Sequence, residues 1–156
     1  MARSLGAALP AALVQRFSQS DLRPLLGRAL PLITVDAEGR PHPMLCSYLE
    51  LLALSPTKIR LAIEARSRSA KNLEVRGAAT LLVIEPEQTI YIKCRASGAP
   101  LRVGELARFV LAVEEVIEDT AAEWEAGAHI TSGIIYAPAP DLGSSEARTI
   151  LAALRA

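Results

Sequence analysis

Arg66-Ser67-Arg68-Ser69-Ala70-Lys71-Asn72-Leu73-Glu74-Val75-Arg76-Gly77 lies between two apolar runs, and its reading decides how the rest of the chain is placed. The spacing predicts a loop entering a short helix. Ser67 or Ser69 can cap the first turn, Leu73 can pack inward, and Gly77 can supply the left-handed C-terminal residue. Charge is the anomaly. Arg66, Arg68 and Lys71 crowd the N-terminal end, where the helix dipole favours anions and each cation forgoes about 0.3 to 1 kcal/mol. Backbone N–H groups, two serine hydroxyls and up to three cations make a receptor for a phosphate monoester. On these local features alone, an exposed solvated turn remains an equal alternative.

Upstream, Lys58 to Ile63 alternates, with Ile59, Leu61 and Ile63 facing one way, which predicts a strand. Residues 43 to 54 are apolar on both alternations and predict a strand buried on two faces, closed by Ser55-Pro56. Residues 30 to 36 predict another strand, followed by a turn at Asp36-Ala37-Glu38-Gly39. Nearer the start, Leu5, Leu9, Leu13 and Phe17 recur every fourth residue and predict a helix that Pro10 divides. Ser20 reads as the cap of a second short helix over 21 to 27.

Downstream, residues 79 to 85 and 88 to 95 predict two antiparallel strands joined at Glu85-Pro86-Glu87, giving a meander with one helix inserted. Residues 104 to 119 match helical periodicity through Leu106, Phe109, Val110, Val113, Val116 and Ile117, although 109 to 113 also suits a strand. Residues 130 to 136 predict a strand, and Ser144 or Ser145 caps a terminal helix carrying Ile150, Leu151 and Leu154.

The bulk properties narrow the partners. With 156 residues, 51% hydrophobic and 22% charged, the chain has material for one domain over 1–156, with a helical segment at 1–28 and a C-terminal helix at 144–156. Net charge is zero, so no global field holds a nucleic acid. Residues 1–80 nevertheless carry 11 basic against 6 acidic side chains, and 81–156 carry 6 against 11, which points to a local cationic site in the first half. No apolar run reaches the ~20 residues of a membrane span. The N-terminal stretch is a poor signal peptide, so a cytoplasmic location is expected. Cys46 and Cys94 are unpaired in spacing and read as buried hydrophobes. Neither His42 nor His129 has a metal-ligand or triad partner at a telling distance, so no metal is expected and the catalytic residues stay unassigned. The acidic run from Glu114 to Glu125 reads as a solvated rim, and Trp124 as an interface residue.

Taken in order, the hairpin ending in Gly39-Arg40-Pro41-His42-Pro43, the long apolar strand, the second strand, the Ser/Arg/Lys turn with its helix and two antiparallel strands resemble the FMN-binding split β-barrel of the pyridoxamine 5'-phosphate oxidase-like family. The resemblance spans about residues 28 to 137 and is most specific at Ser67-Arg68-Ser69-Ala70-Lys71-Asn72-Leu73. It implies a mainly β fold with peripheral helices, a split antiparallel barrel, and a strand rather than a helix at 108 to 119. It further implies that Ser67, Arg68, Ser69 and Lys71 hold an FMN phosphate and that Met44, Cys46 and Ser47 lie along the flavin ring. A homodimer with a cofactor site at each subunit junction follows from the same likeness. The activity so implied is an FMN-dependent oxidoreductase passing hydride or electrons to or from a small substrate, NAD(P)H among the candidates. The alternative is a non-catalytic module holding flavin, deazaflavin or haem.

Overall fold

A computed structural model describes residues 1–86 and 88–156. Ten strands form one sheet: β1 (Ala2–Gly6), β2 (Arg28–Val35), β3 (Pro41–Ser47), β4 (Leu51–Ser55), β5 (Lys58–Glu64), β6 (Ala78–Glu85), β7 (Gln88–Ala96), β8 (Leu101–Val103), β9 (Leu106–Asp119) and β10 (Ile134–Ile135). The helices are α1 (Ala11–Arg16), α2 (Arg68–Arg76) and α3 (Ser145–Arg155). All pairings are antiparallel, in the order β10-β2-β6-β7-β9-β5-β4, with β3 on β2 and both β1 and β8 on β9. The sheet curls because its two ends, β3 and β4, are consecutive in the chain, joined only by a 3-10 turn at Tyr48–Glu50. The fold is thus mainly β with peripheral helices, a split antiparallel barrel. Among the described residues no helix is long and apolar enough to cross a membrane.

One face of the sheet builds the core. Leu30, Leu32, Ile59, Leu61, Leu81, Val83, Ile90 and Ile92 are buried, together with Leu13, Phe17 and Tyr48 from the connecting segments. The Phe17 and Tyr48 rings pack at 5.8 Å between centroids. A smaller cluster of Ala62, Ala153 and Leu154 fixes α3 against β5. Arg60 reinforces it by donating to the Leu154 carbonyl at 2.8 Å, and Arg108 donates to the Ala156 carbonyl, so two cations meet the negative end of the helix.

Several expectations need correction. The helix expected over Leu5 to Phe17 is a helix only at Ala11–Arg16. Residues 2–6 instead pair with the far end of β9, where residues beyond Leu111 no longer face β5 on that side. Leu9, Leu13 and Phe17 are still buried. The helix expected over 21 to 27 shrinks to a 3-10 turn at Arg23–Leu25, since the Ser20 hydroxyl accepts from Gln15 at 2.9 Å and so caps nothing. Residues 43 to 54 divide into β3 and β4 and are not buried on both faces, for Leu45 is 60% exposed.

Residues 106 to 119 form the strand that the resemblance implied rather than a helix. The reason lies in the register. Ala107, Phe109, Leu111 and Val113 alternate inward, after which a bulge opposite Lys93 and Cys94 advances the phase so that Val116 also points inward. Val113 and Val116 are therefore three apart on one face, a spacing that imitates a helix. This long strand also breaks the expected meander, entering between β7 and β5 while α2 carries the chain from β5 across to β6. The turn expected at 85 to 87 joins strands in which Glu85 faces Gln88, and Glu87 lies outside the described residues. The strand expected over 130 to 136 is confined to Ile134 and Ile135, opposite Ala29 and Arg28.

Candidate functional site

Helix α2 begins as its sequence dictates. Ser67 is the N-cap, its Oγ accepting from the Ala70 amide at 3.1 Å, and Lys71 N–H closes the first turn on the Ser67 carbonyl at 3.2 Å. Ser69 is a different case, only 1% exposed, so its side chain sits in the wall and not on the surface. Leu73 is buried and Gly77 ends the helix at φ 74°. The amides of Arg68 and Ser69, in the first turn, have no acceptor within the helix.

The three cations separate in role. Arg66 lies 3.4 Å from Glu105 and is partly neutralised, while Arg68 and Lys71 are exposed and carry no ion pair among the described residues. Farther along the helix, Asn72 donates to Thr34 Oγ1 at 3.0 Å and Arg76 donates to the Ala37 carbonyl at 2.6 Å. Thr34 in turn donates to the His42 carbonyl at 3.3 Å. This chain of bonds ties α2 to the β2–β3 hairpin. The helix start thus presents two amide donors and two uncompensated cations, a donor set that fits a phosphate dianion.

Strand β3 carries the other residues singled out from the sequence. Met44 and Cys46 point toward the core, half-buried and buried respectively. The Cys46 thiol donates to the Leu30 carbonyl at 3.3 Å, and burial, with the Glu50 charge second, pushes it far above the ordinary thiol range, so it is no nucleophile. Ser47 donates to the Glu50 carboxylate through its amide at 2.6 Å and its hydroxyl at 3.1 Å. Burial raises the Glu50 carboxyl, and the Ser47 donors offset part of that rise. What β3 offers outward is its backbone, since among the described residues it is bonded to β2 on one edge only. Beside that edge Leu45 faces out, in a row with Pro31, Leu82 and Tyr91 on neighbouring strands.

Two features had no warning in the sequence. Glu85, 5% exposed, accepts from Arg28 at 2.9 Å and from the Tyr48 hydroxyl at 3.3 Å, with Arg16 3.7 Å away, so its charge is matched from three parts of the chain. Above it opens a cleft of about 750 Å³, bounded by the ends of β6 and β9, the start of β7 and the segment after β9. Neither the α2 start nor residues 44–47 line this cleft. Only contacts between residues far apart in sequence create it. Among the described residues no group of three or more His, Cys, Asp or Glu is placed to hold a metal.

No protein-family model and no curated relative matches the chain. Solved structures do match. One is a putative pyridoxamine 5'-phosphate oxidase from Lactobacillus delbrueckii, 16% identical with a TM-score of 0.58, covering 73% of this chain and 98% of that one. An FMN-binding protein from Syntrophomonas wolfei is 14% identical with a TM-score of 0.55, covering 72% and 90%. HutZ, the haem storage protein of Vibrio cholerae, is 18% identical with a TM-score of 0.50, covering 70% and 93%. At such identities the shared property is architecture. The curled antiparallel sheet, with α2 spanning its crossover, has the fold of the pyridoxamine 5'-phosphate oxidase-like split barrels.

Proposed function

We propose that this chain is an FMN-binding flavoprotein oxidoreductase that acts as a homodimer on a small substrate. The observation that carries the reading is the pair Arg68 and Lys71, exposed and without acidic partners beside the free amides of the α2 start, while neighbouring Arg66 is engaged by Glu105. Uncompensated cations at a helix N-terminus are unfavourable until an anion sits there. The likeness in fold to an FMN-binding protein supports FMN as the source of that anion.

In this reading Arg68, Lys71 and the amides of Arg68 and Ser69 bind the phosphate, and the Ser67 cap holds the amides in place. The outward edge of β3 from Met44 to Ser47 meets the polar rim of the ring with backbone donors and acceptors. Bound flavin would supply the hydride or electron transfer. The protein's part is orientation and exclusion of water, and no side chain is assigned as acid or base. A second copy covers the row around Leu45 and closes the site, because one chain leaves the α2 start open to solvent.

The test is a visible spectrum of the purified protein followed by FMN titration. Wild type is expected to bind one flavin per chain and to bleach when a reduced nicotinamide is added. The double variant Arg68→Ala, Lys71→Ala is expected to bind at least tenfold more weakly. A colourless protein indifferent to FMN, or a double variant of unchanged affinity, overturns the assignment. A haem or deazaflavin spectrum in the isolated protein overturns FMN in particular.

A further inference from the structure

The cleft above Glu85 lies at the opposite end of β9 from α2. Leu106 and Glu105 stand beside the helix start, whereas Glu118 and Asp119 line the cleft, and a fourteen-residue strand spans roughly 40 Å along its length. It is therefore a separate place on the chain. Its volume of about 750 Å³ falls in the range that encloses a small organic molecule.

The walls state what that molecule is. Trp124 is 84% exposed at the rim, the chain's one tryptophan, held on a 3-10 turn by the Glu125 carboxylate accepting from the Ala122 amide at 2.7 Å. Tyr91 supplies a second ring from β7, fixed by donating to Asp119 at 2.7 Å, and Ile84 adds apolar surface. Glu118, Asp119 and Glu125 give the lining a negative cast, and no lysine or arginine side chain lines it among the described residues. An exposed indole beside carboxylates attracts a flat cation through its ring face and repels a phosphate. The geometry points to a second ligand site in this cleft, one for a planar aromatic cation free of phosphate.

The site stands independently of flavin at α2, and the experiment keeps the two apart. The probe is 1-methylnicotinamide, a flat cation, compared with nicotinate, a flat anion of similar size. Both are titrated into the full chain with Trp124 emission and calorimetry as readouts. Expected is saturable quenching by the cation at one site per chain, without a shortened lifetime, and at least tenfold weaker binding of nicotinate. Calorimetric affinity for the cation should fall at least tenfold in Trp124→Ala, recover in Trp124→Phe, and be unchanged in the Arg68→Ala, Lys71→Ala protein. Purely collisional quenching, equal response to the anion, or undiminished binding in Trp124→Ala overturns the inference. So does an indole already shielded from acrylamide, which would mean that a second copy fills the cleft.

Discussion

Ser47 and Glu50 show how a polar side chain in the wall of a barrel carries a pH signature. The Glu50 carboxyl is raised chiefly by burial, so the folded chain holds its proton more tightly than the unfolded chain does. A raised folded value means that the stabilisation Glu50 contributes is present at acid pH and is lost as pH climbs through that value. Glu50→Gln is therefore expected to flatten the decline in unfolding free energy between about pH 4 and pH 7, read by urea denaturation at each pH. Parallel curves for the two proteins would remove Glu50 as its source. Single residues governed by local rules were legible from the start. Ser67, Leu73 and Gly77 do what their positions in a capped helix require. Ser69 was not legible as a wall residue, since only the packing of α2 on β2 decides which of two serines faces in.

At the level of elements, α2 depends on its cap. Ser67→Ala removes the acceptor for the Ala70 amide and is expected to cost about 1 kcal/mol of stability. In the flavin reading it also loosens the amides at the helix start, so FMN affinity should fall severalfold while Arg68 and Lys71 remain. Denaturation and flavin titration on the same sample check both parts, and a stability loss with unaltered flavin binding would detach the cap from the site. Strands with clean alternation, such as β5, were readable because one face is core and the other is not. β9 misled because its bulge puts Val113 and Val116 on one side. The long run at 43–54 misled for another reason. Its apolar residues serve two strands at opposite ends of the sheet, and the Ser47–Glu50 bonds that bend the chain between them add no break in hydropathy.

For the whole molecule, the proposed dimer makes Leu45 a sensitive position. An exposed leucine changed to glutamate on the surface of one chain costs a lone fold little, within about 0.5 kcal/mol. Leu45→Glu is accordingly expected to leave thermal stability at low concentration near wild type while producing monomers in sedimentation and weakening FMN at least tenfold. A wild-type protein that sediments as a monomer with flavin bound would refute the shared site. The charge asymmetry between the halves anticipated a cationic site in the first, and the α2 start is where unmatched cations stand. The cleft and the Glu85 cluster had no counterpart in the sequence, for their lining comes from segments that only the curl of the sheet brings together.

β9 is hydrogen-bonded to β1, β5, β7 and β8, all of which precede it in the chain. During synthesis these partners emerge first and wait with bare edges, β5 holding only β4 and β7 holding only β6, until residue 119 has left the ribosome. Native pairing is thus concentrated in a late, non-local step, and the nascent protein is most prone to self-association just before that step.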